Sequence, residues 1–112
     1  MAEISYSITR KPRCLIYEWD SVTESDTFQR LELDSLAQEI SVHIKGTFGG
    51  ATVVMKGSLE DEEGTTLSQL GSLDASATAE DIFSLLDRPV YITPTHSGGT
   101  SESVTVSVAV WL

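Results

Sequence analysis

Of the 112 residues only one is a cysteine, two are histidines and seven are Lys or Arg. With Cys14 alone, no intrachain disulfide can form and no cysteine-based zinc site can be built. It stands in the apolar run Cys14-Leu15-Ile16, where a cysteine reads as a small core residue. Seven basic against seventeen acidic residues leave a formal charge of −10. That balance argues against phosphate-backbone binding, which needs clustered Lys and Arg, so nucleic acid is not an expected partner. No apolar run approaches the roughly 20 residues of a membrane-spanning helix, so no membrane partner is expected either. Ile4 and Ile8, separated by Ser and Tyr, do not form the apolar core of a signal peptide. The expectation is a soluble chain made in the cytoplasm. Internal repeats and low-complexity segments are also missing.

What is present is one core's worth of alternating apolar residues. The length fits a single domain, and 40% hydrophobic with 21% charged residues is not the composition of a disordered chain. The stretch Ile40 to Leu59 organises the rest. Ile40, Val42 and Ile44 alternate with Ser41, His43 and Lys45, the period of a strand with one buried face. Gly49-Gly50 then supplies residues that tolerate positive φ, and a second apolar run follows, centred on Val53, Val54 and Met55. This reads as a β-hairpin, and a lone hairpin is only marginally stable, so other segments must bury it.

The clearest of those segments is the last. Val104, Val106, Val108, Val110 and Leu112 alternate with Ser103, Thr105, Ser107, Ala109 and Trp111, which predicts a strand with one core face. Arg13 to Trp19 reads as another strand, with Leu15, Tyr17 and Trp19 on one face. Asp20 to Asp26 is polar turn chemistry, and a strand resumes over Thr27 to Leu33. Asp34 to Glu39 reads as a short capped helical turn or a crossover loop. Thr65 to Leu70 is a short strand, with Leu67 as a core candidate, and Gly71 to Thr78 a loop. Ile82, Leu85 and Leu86 at i, i+3 and i+4 predict a single helical turn over Ala79 to Asp87. Val90 to Thr93 is a strand entered through a proline, and Pro94 to Ser101 a flexible glycine-containing loop.

The first twelve residues read as an N-terminal arm, ahead of a single domain over 13–112. Ile4, Tyr6 and Ile8 would suit an edge strand, but Arg10-Lys11-Pro12-Arg13 breaks the alternation and gathers three of the seven basic residues. These cations are either a solvated strand end or a charged arm that docks on the acidic body of a neighbouring subunit. Seven or eight short strands with almost no helix predict an all-β fold. The expected form is an antiparallel β-sandwich, jelly-roll or immunoglobulin-like, with at most one short helical turn.

Catalytic constellations are hard to find. A hydrolase triad needs a histidine beside a nucleophile and an orienting acid. His43 falls on the polar face of a strand and His96 in a loop beside Ser97, and both read as surface histidines. Glu18 and Asp20, one residue apart, share a strand face, a weak signal for glycosidase chemistry. Gly49-Gly50 and Gly98-Gly99 lack the Lys and following helix of a phosphate loop. The acidic run Glu60-Asp61-Glu62-Glu63 reads as a solvated loop tip, because its spacing is not that of a calcium loop. No enzyme activity, metal or cofactor is therefore expected. Trp111, opposite the valine face of its strand, is a candidate partner contact.

The string IKGTFGGATVVMKGSLEDEEG resembles a pattern in small virion proteins of tailed bacteriophages, with Gly46, Thr47, Phe48, Gly49, Gly50, Gly57 and Ser58 carrying the match. VYITPT, the second glycine pair and the terminal valine strand extend the likeness over Ile40 to Leu112. The turn Leu59 to Gly64 is longer and more acidic than the usual form, and the first forty residues lie outside the likeness. Such proteins resemble capsid decoration (cement) proteins, as in the epsilon15-like podoviruses. The resemblance implies a non-enzymatic homo-oligomer on the outer capsid surface, bound to the major capsid protein and bridging coat subunits. Arg10, Lys11, Arg13 and Trp111 are then the candidate contact residues. The alternatives are a head–tail connector or tail component, or a carbohydrate- or receptor-binding β-sandwich that uses exposed aromatics.

Overall fold

A computed structural model describes residues 3–33, 38–58, 68–69, 76–85 and 90–111. Twelve strands follow in chain order: β1 (Glu3–Ile4), β2 (Ser7–Arg10), β3 (Cys14–Val22), β4 (Thr27–Phe28), β5 (Leu31–Glu32), β6 (Glu39–Thr47), β7 (Thr52–Ser58), β8 (Ser68–Gln69), β9 (Ser76–Ala77), β10 (Asp81–Leu85), β11 (Tyr91–Ser97) and β12 (Ser103–Trp111). The fold is all-β, and its antiparallel sheets pack as a β-sandwich. The first sheet has the order β10-β6-β12-β3-β2. The second has the order β5-β11-β7-β8, with β9 also pairing β7. A short parallel pair, β1 and β4, lies beside them.

The terminal valine pattern does what strict period two requires. Val104, Val106, Val108 and Val110 are buried, while Ser103, Thr105, Ser107, Ala109 and Trp111 take the other face. β12 is the central strand of its sheet, paired with β6 on one side and β3 on the other. Ile40, Val42 and Ile44 of β6 are level with Val110, Val108 and Val106, and all six point into the core. Opposite them Val53, Met55 and Ile92 fill the second sheet's inner face.

On β3 the alternation is broken by a bulge. Val22 pairs Val104 but Trp19 pairs Val106, so β3 spends three residues where β12 spends two. Ser21 takes φ 54° there, and the extra residue lets both Trp19 and Val22 face inward. Trp19 is fully buried and stands in a chain of edge-to-face rings that runs Tyr17, Tyr6, Trp19, Phe28 and His96.

Three longer readings are overturned, as is the loop expected over 71–78, where Ser76–Ala77 form β9 beside β7. The glycine pair does not close a hairpin between β6 and β7, because those strands belong to different sheets. Gly49 (φ 56°) and Gly50 (φ 87°) do form a tight turn, with Ala51 N–H donating to the Phe48 carbonyl at 2.9 Å. Phe48 and Ala51 on either side are both buried, so the chain turns a corner from one sheet into the other. A Cβ on Gly49 would stand 1.9 Å from the Thr100 carbonyl oxygen, since the crossing from β11 to β12 runs alongside. Thus β6–β7 and β12–β11 cross between the sheets side by side.

The described part of the expected helical turn over 79–87 is instead β10, which lies along β6 from Asp81↔Ile44 to Leu85↔Ile40; Leu86 and Asp87 lie outside the described residues. Phe83 and Leu85 turn inward and Ile82 is 68% exposed, the opposite of what a helical face needed. The third correction is β11, which runs on through Pro94 to Ser97 where a loop was expected. Pro94 lies beyond the two residues of β11 that pair with β5, so among the described residues no strand pairs it on that side.

Residues 3–10, read as an arm with an edge-strand pattern, are β1 and β2, and β2 pairs β3 from Ser7↔Glu18 to Arg10↔Leu15. The helical-turn reading at 34–37, the acidic run at 60–63, Leu67 and Leu112 lie outside the described residues.

Candidate functional site

Two places carry side chains with more to do than fill a core. The first is the end of the first sheet where β2 turns into β3. Lys11 N–H donates to the Cys14 carbonyl at 2.9 Å, closing a four-residue turn with Pro12 at its second position, where a fixed φ suits it. Arg10, Lys11, Pro12 and Arg13 are all exposed. Among the described residues no carboxylate lies within ion-pair distance of these three cations.

Trp111 reaches the same end. It pairs Cys14 on one side and Glu39 on the other, and its carbonyl accepts from Gln38 N–H at 2.7 Å. Its indole, 40% exposed, points away from the core because Val110 and its partners Leu15 and Ile40 take the inner face. Cys14, directly opposite Trp111 and therefore on the same outer face, is nonetheless buried. The four residues singled out from the sequence thus share one end of one sheet. They do not share one face: Arg10 is level with Leu15 on the inward-pointing side, where β2 overhangs the core edge.

The second place was missed by the sequence reading. His96 is not a solvated loop residue: its side chain is 7% exposed and that of Glu102 wholly buried. His96 Nε2 lies 2.7 Å from the Asp26 carbonyl, which can only accept, so Nε2 carries a proton. His96 Nδ1 lies 2.5 Å from Glu102 Oε2, and the two buried groups partner one another, which is what makes their burial tolerable. The other carboxyl oxygen, Oε1, has no hydrogen-bond partner among the described residues.

A second acid holds the same loop from outside. The Glu24 carboxylate accepts from the Glu102 backbone N–H at 2.9 Å and the Ser101 N–H at 3.2 Å. Its own backbone N–H, then that of Glu102, hold its carboxyl below the ordinary carboxylate range, with the Ser101 N–H adding to them; slight desolvation and the nearby Asp26 act the other way. The signal that could have revealed Glu102 was parity. It stands two residues before Val104, on the core face of the same extended run, and an acid there needs a buried partner.

The remaining candidates are tied up in structure. His43 is a surface histidine, 3.2 Å from Glu80. Glu18 accepts from the Ser107 hydroxyl at 2.9 Å and Asp20 from that of Thr105 at 2.9 Å, so the pair clamps β3 to β12 beside the bulge. Both ring nitrogens of His96 are engaged, by Asp26 and Glu102, and no hydroxyl or thiol is bonded to either histidine among the described residues. No three of the described His, Cys, Asp and Glu side chains are grouped to hold a metal ion. Trp19, the second tryptophan of the chain, is sealed in the core and offers no ring to a sugar. Comparison with known proteins finds no matching family model, no matching curated protein and no matching solved structure.

Proposed function

We propose that this chain is a non-enzymatic structural protein of a phage virion, a decoration protein that binds the outer capsid surface and stabilises contacts between coat subunits. The observation that carries the reading is the end of the first sheet: three cations with no ion-pair partner among the described residues, and an exposed tryptophan, on a closely hydrogen-bonded slab. A seam-bridging protein needs stiffness and an adhesive end, and no reacting groups. Arg10, Lys11, Arg13 and Trp111 are assigned as that end, with the major capsid protein as partner. A desolvated indole ringed by charge-assisted contacts is the usual composition of an interface hot spot. Each contact is weak alone, and repetition over a symmetric shell multiplies it. The glycine-corner residues Gly46 to Gly50, which carry the phage resemblance, support the reading from the sequence side.

The test mixes purified protein with decoration-free shells and follows co-sedimentation and the heat resistance of the shells. Binding that raises the temperature of shell disruption supports the proposal. Protein that stays in the supernatant at saturating concentration overturns it.

A further inference from the structure

The first sheet has two open edges, β2 and β10, since neither has a second strand neighbour among the described residues. Exposed strand edges present unpaired N–H and C=O groups that can template pairing with another chain. Here the two edges are chemically opposite. β2 ends in Arg10, followed by Lys11, whereas β10 begins with Asp81, preceded by Glu80. Each edge also displays a large apolar side chain, Ile8 at 51% exposure and Ile82 at 68%; these are two of the four large hydrophobics exposed among the described residues. We propose that β2 of one copy pairs with β10 of the next, so that copies of this chain associate edge to edge and head to tail.

The geometry selects one arrangement. Four antiparallel steps separate β10 from β2, so within one molecule the two edges run in the same direction. A neighbour joined with its core face on the same side would pair them in parallel. Arg10 then falls level with Leu85, far from Asp81, and Ile8 and Ile82 lie on opposite faces of the joined sheet. Turning the neighbour over makes the pairing antiparallel. With Thr9 opposite Phe83, Lys11 stands opposite Asp81 and Arg10 opposite Ile82. Ile8, on the core-facing side of β2 with Tyr17, becomes the diagonal neighbour of Ile82 on one face. Only the antiparallel register satisfies both the charges and the two isoleucines. Pairing like edges, β2 with β2 or β10 with β10, gathers like charge in a chain already at −10.

Such a contact is heterologous, using a different patch on each partner, so it extends to rows of copies and does not stop at a two-fold dimer. It stands apart from the capsid reading, because no shell takes part. The rival account is that these charges guard the edges against any pairing. The two make different predictions in solution.

Sedimentation velocity of the full chain at low salt, from about 10 μM to about 1 mM, the range of weak contacts, should show mass rising with concentration. Raising salt to about 0.5 M should reverse it. The variant Arg10→Glu/Lys11→Glu and the variant Glu80→Lys/Asp81→Lys should each remain monomeric alone. Mixed one to one they should associate again, since the acidic β2 of one meets the basic β10 of the other. Circular dichroism melts check folding, and Lys11→Glu with Asp81→Lys serve as a lighter pair should a double variant fail to fold. A wild-type chain monomeric throughout, reversed variants that associate like wild type, or a mixture that stays monomeric would each overturn the proposal. Glu80→Lys/Asp81→Lys keeps Arg10, Lys11, Arg13 and Trp111 intact, so its shell binding separates failure of the edge contact from failure of the capsid reading.

Discussion

The His96 imidazole and the Glu102 carboxylate meet at 2.5 Å across the loop that carries the chain from β11 to β12, with neither side chain open to water. The contact fixes where one sheet hands over to the other. It also couples that corner to the β3–β4 connection through the Asp26 carbonyl. Removing one partner leaves the other buried without its counterpart, His96 against the Phe28 ring. Glu102→Ala is therefore expected to cost about 3 kcal/mol, the scale of a broken buried pair. The apolar double change His96→Phe/Glu102→Leu should cost less than the sum of the two single changes. Urea denaturation of the wild type and the four variants measures both; additive losses for His96→Phe and Glu102→Leu would mean the two residues do not act as a pair.

Trp19 is the largest fully buried side chain, and its Nε1–H donates to the Gln29 carbonyl at 3.0 Å. Trp19→Ala should destabilise by about 3–5 kcal/mol through the cavity and the carbonyl left unpaired. Trp19→Phe keeps a ring between Tyr6 and Phe28 and should recover part of that loss. Thermal unfolding followed by near-ultraviolet circular dichroism reads the ring environment directly.

Gly49 and Gly50 both sit at positive φ, yet they should respond differently to a methyl group. On Gly50 a Cβ finds its nearest atom, the Gly98 carbonyl oxygen, at 3.8 Å, so Gly50→Ala carries only the left-handed backbone penalty, about 1–2 kcal/mol. On Gly49 the Thr100 carbonyl oxygen stands 1.9 Å from the same position, and backbone must move. Gly49→Ala should exceed the Gly50→Ala cost at least two-fold in a chemical melt. Equal losses would show that the two crossings are not in contact.

The Glu24 carboxyl gives a pH dependence of known sign. Its folded value is depressed, so its stabilisation is present above the unfolded carboxylate value and is lost as pH falls through the lower folded one. Glu24→Gln should accordingly lower the unfolding midpoint at neutral pH, and the gap from wild type should close in acid, below about pH 4. A gap that stays constant with pH would place the effect outside the carboxylate.

How much of this could be read beforehand depended on whether the deciding contact was local. The valine ladder of β12 and the alternation in β6 were legible, because a strand with one buried face writes its period into its own residues. Gly49-Gly50 announced a tight turn but not that the following strand would leave the sheet; that choice is made by β11 and β12, forty residues on. Asp81 to Leu85 is too short for its period to separate helix from strand, and the free edge of β6 decided it. His96 looked like loop because Pro94 and a glycine pair surround it, while the acid that buries it waits six residues later. Of the candidate contacts, composition alone marked the Arg10 to Arg13 cluster, and only register brought Trp111 to the same end.

Trp111 separates a binding role from a stabilising one. Its inward neighbours Val110, Leu15 and Ile40 form the core layer at that end, while the indole lies on the outer face. Truncating a ring 40% exposed on the outer face should change stability by about 1 kcal/mol or less, well below the cost of emptying a core site. If the end of the sheet is what grips a shell, Trp111→Ala should nonetheless reduce shell co-sedimentation by at least ten-fold, the effect of losing an interface anchor worth more than about 1.4 kcal/mol. Arg13→Ala, at the same end, should weaken binding less and mainly at low salt, because an exposed cation at an interface rim is screened. Unfolding melts and shell sedimentation on the same preparations test the separation. A Trp111→Ala protein that unfolds much earlier but binds as before would make the ring a structural lid over Cys14 and remove it from the contact surface.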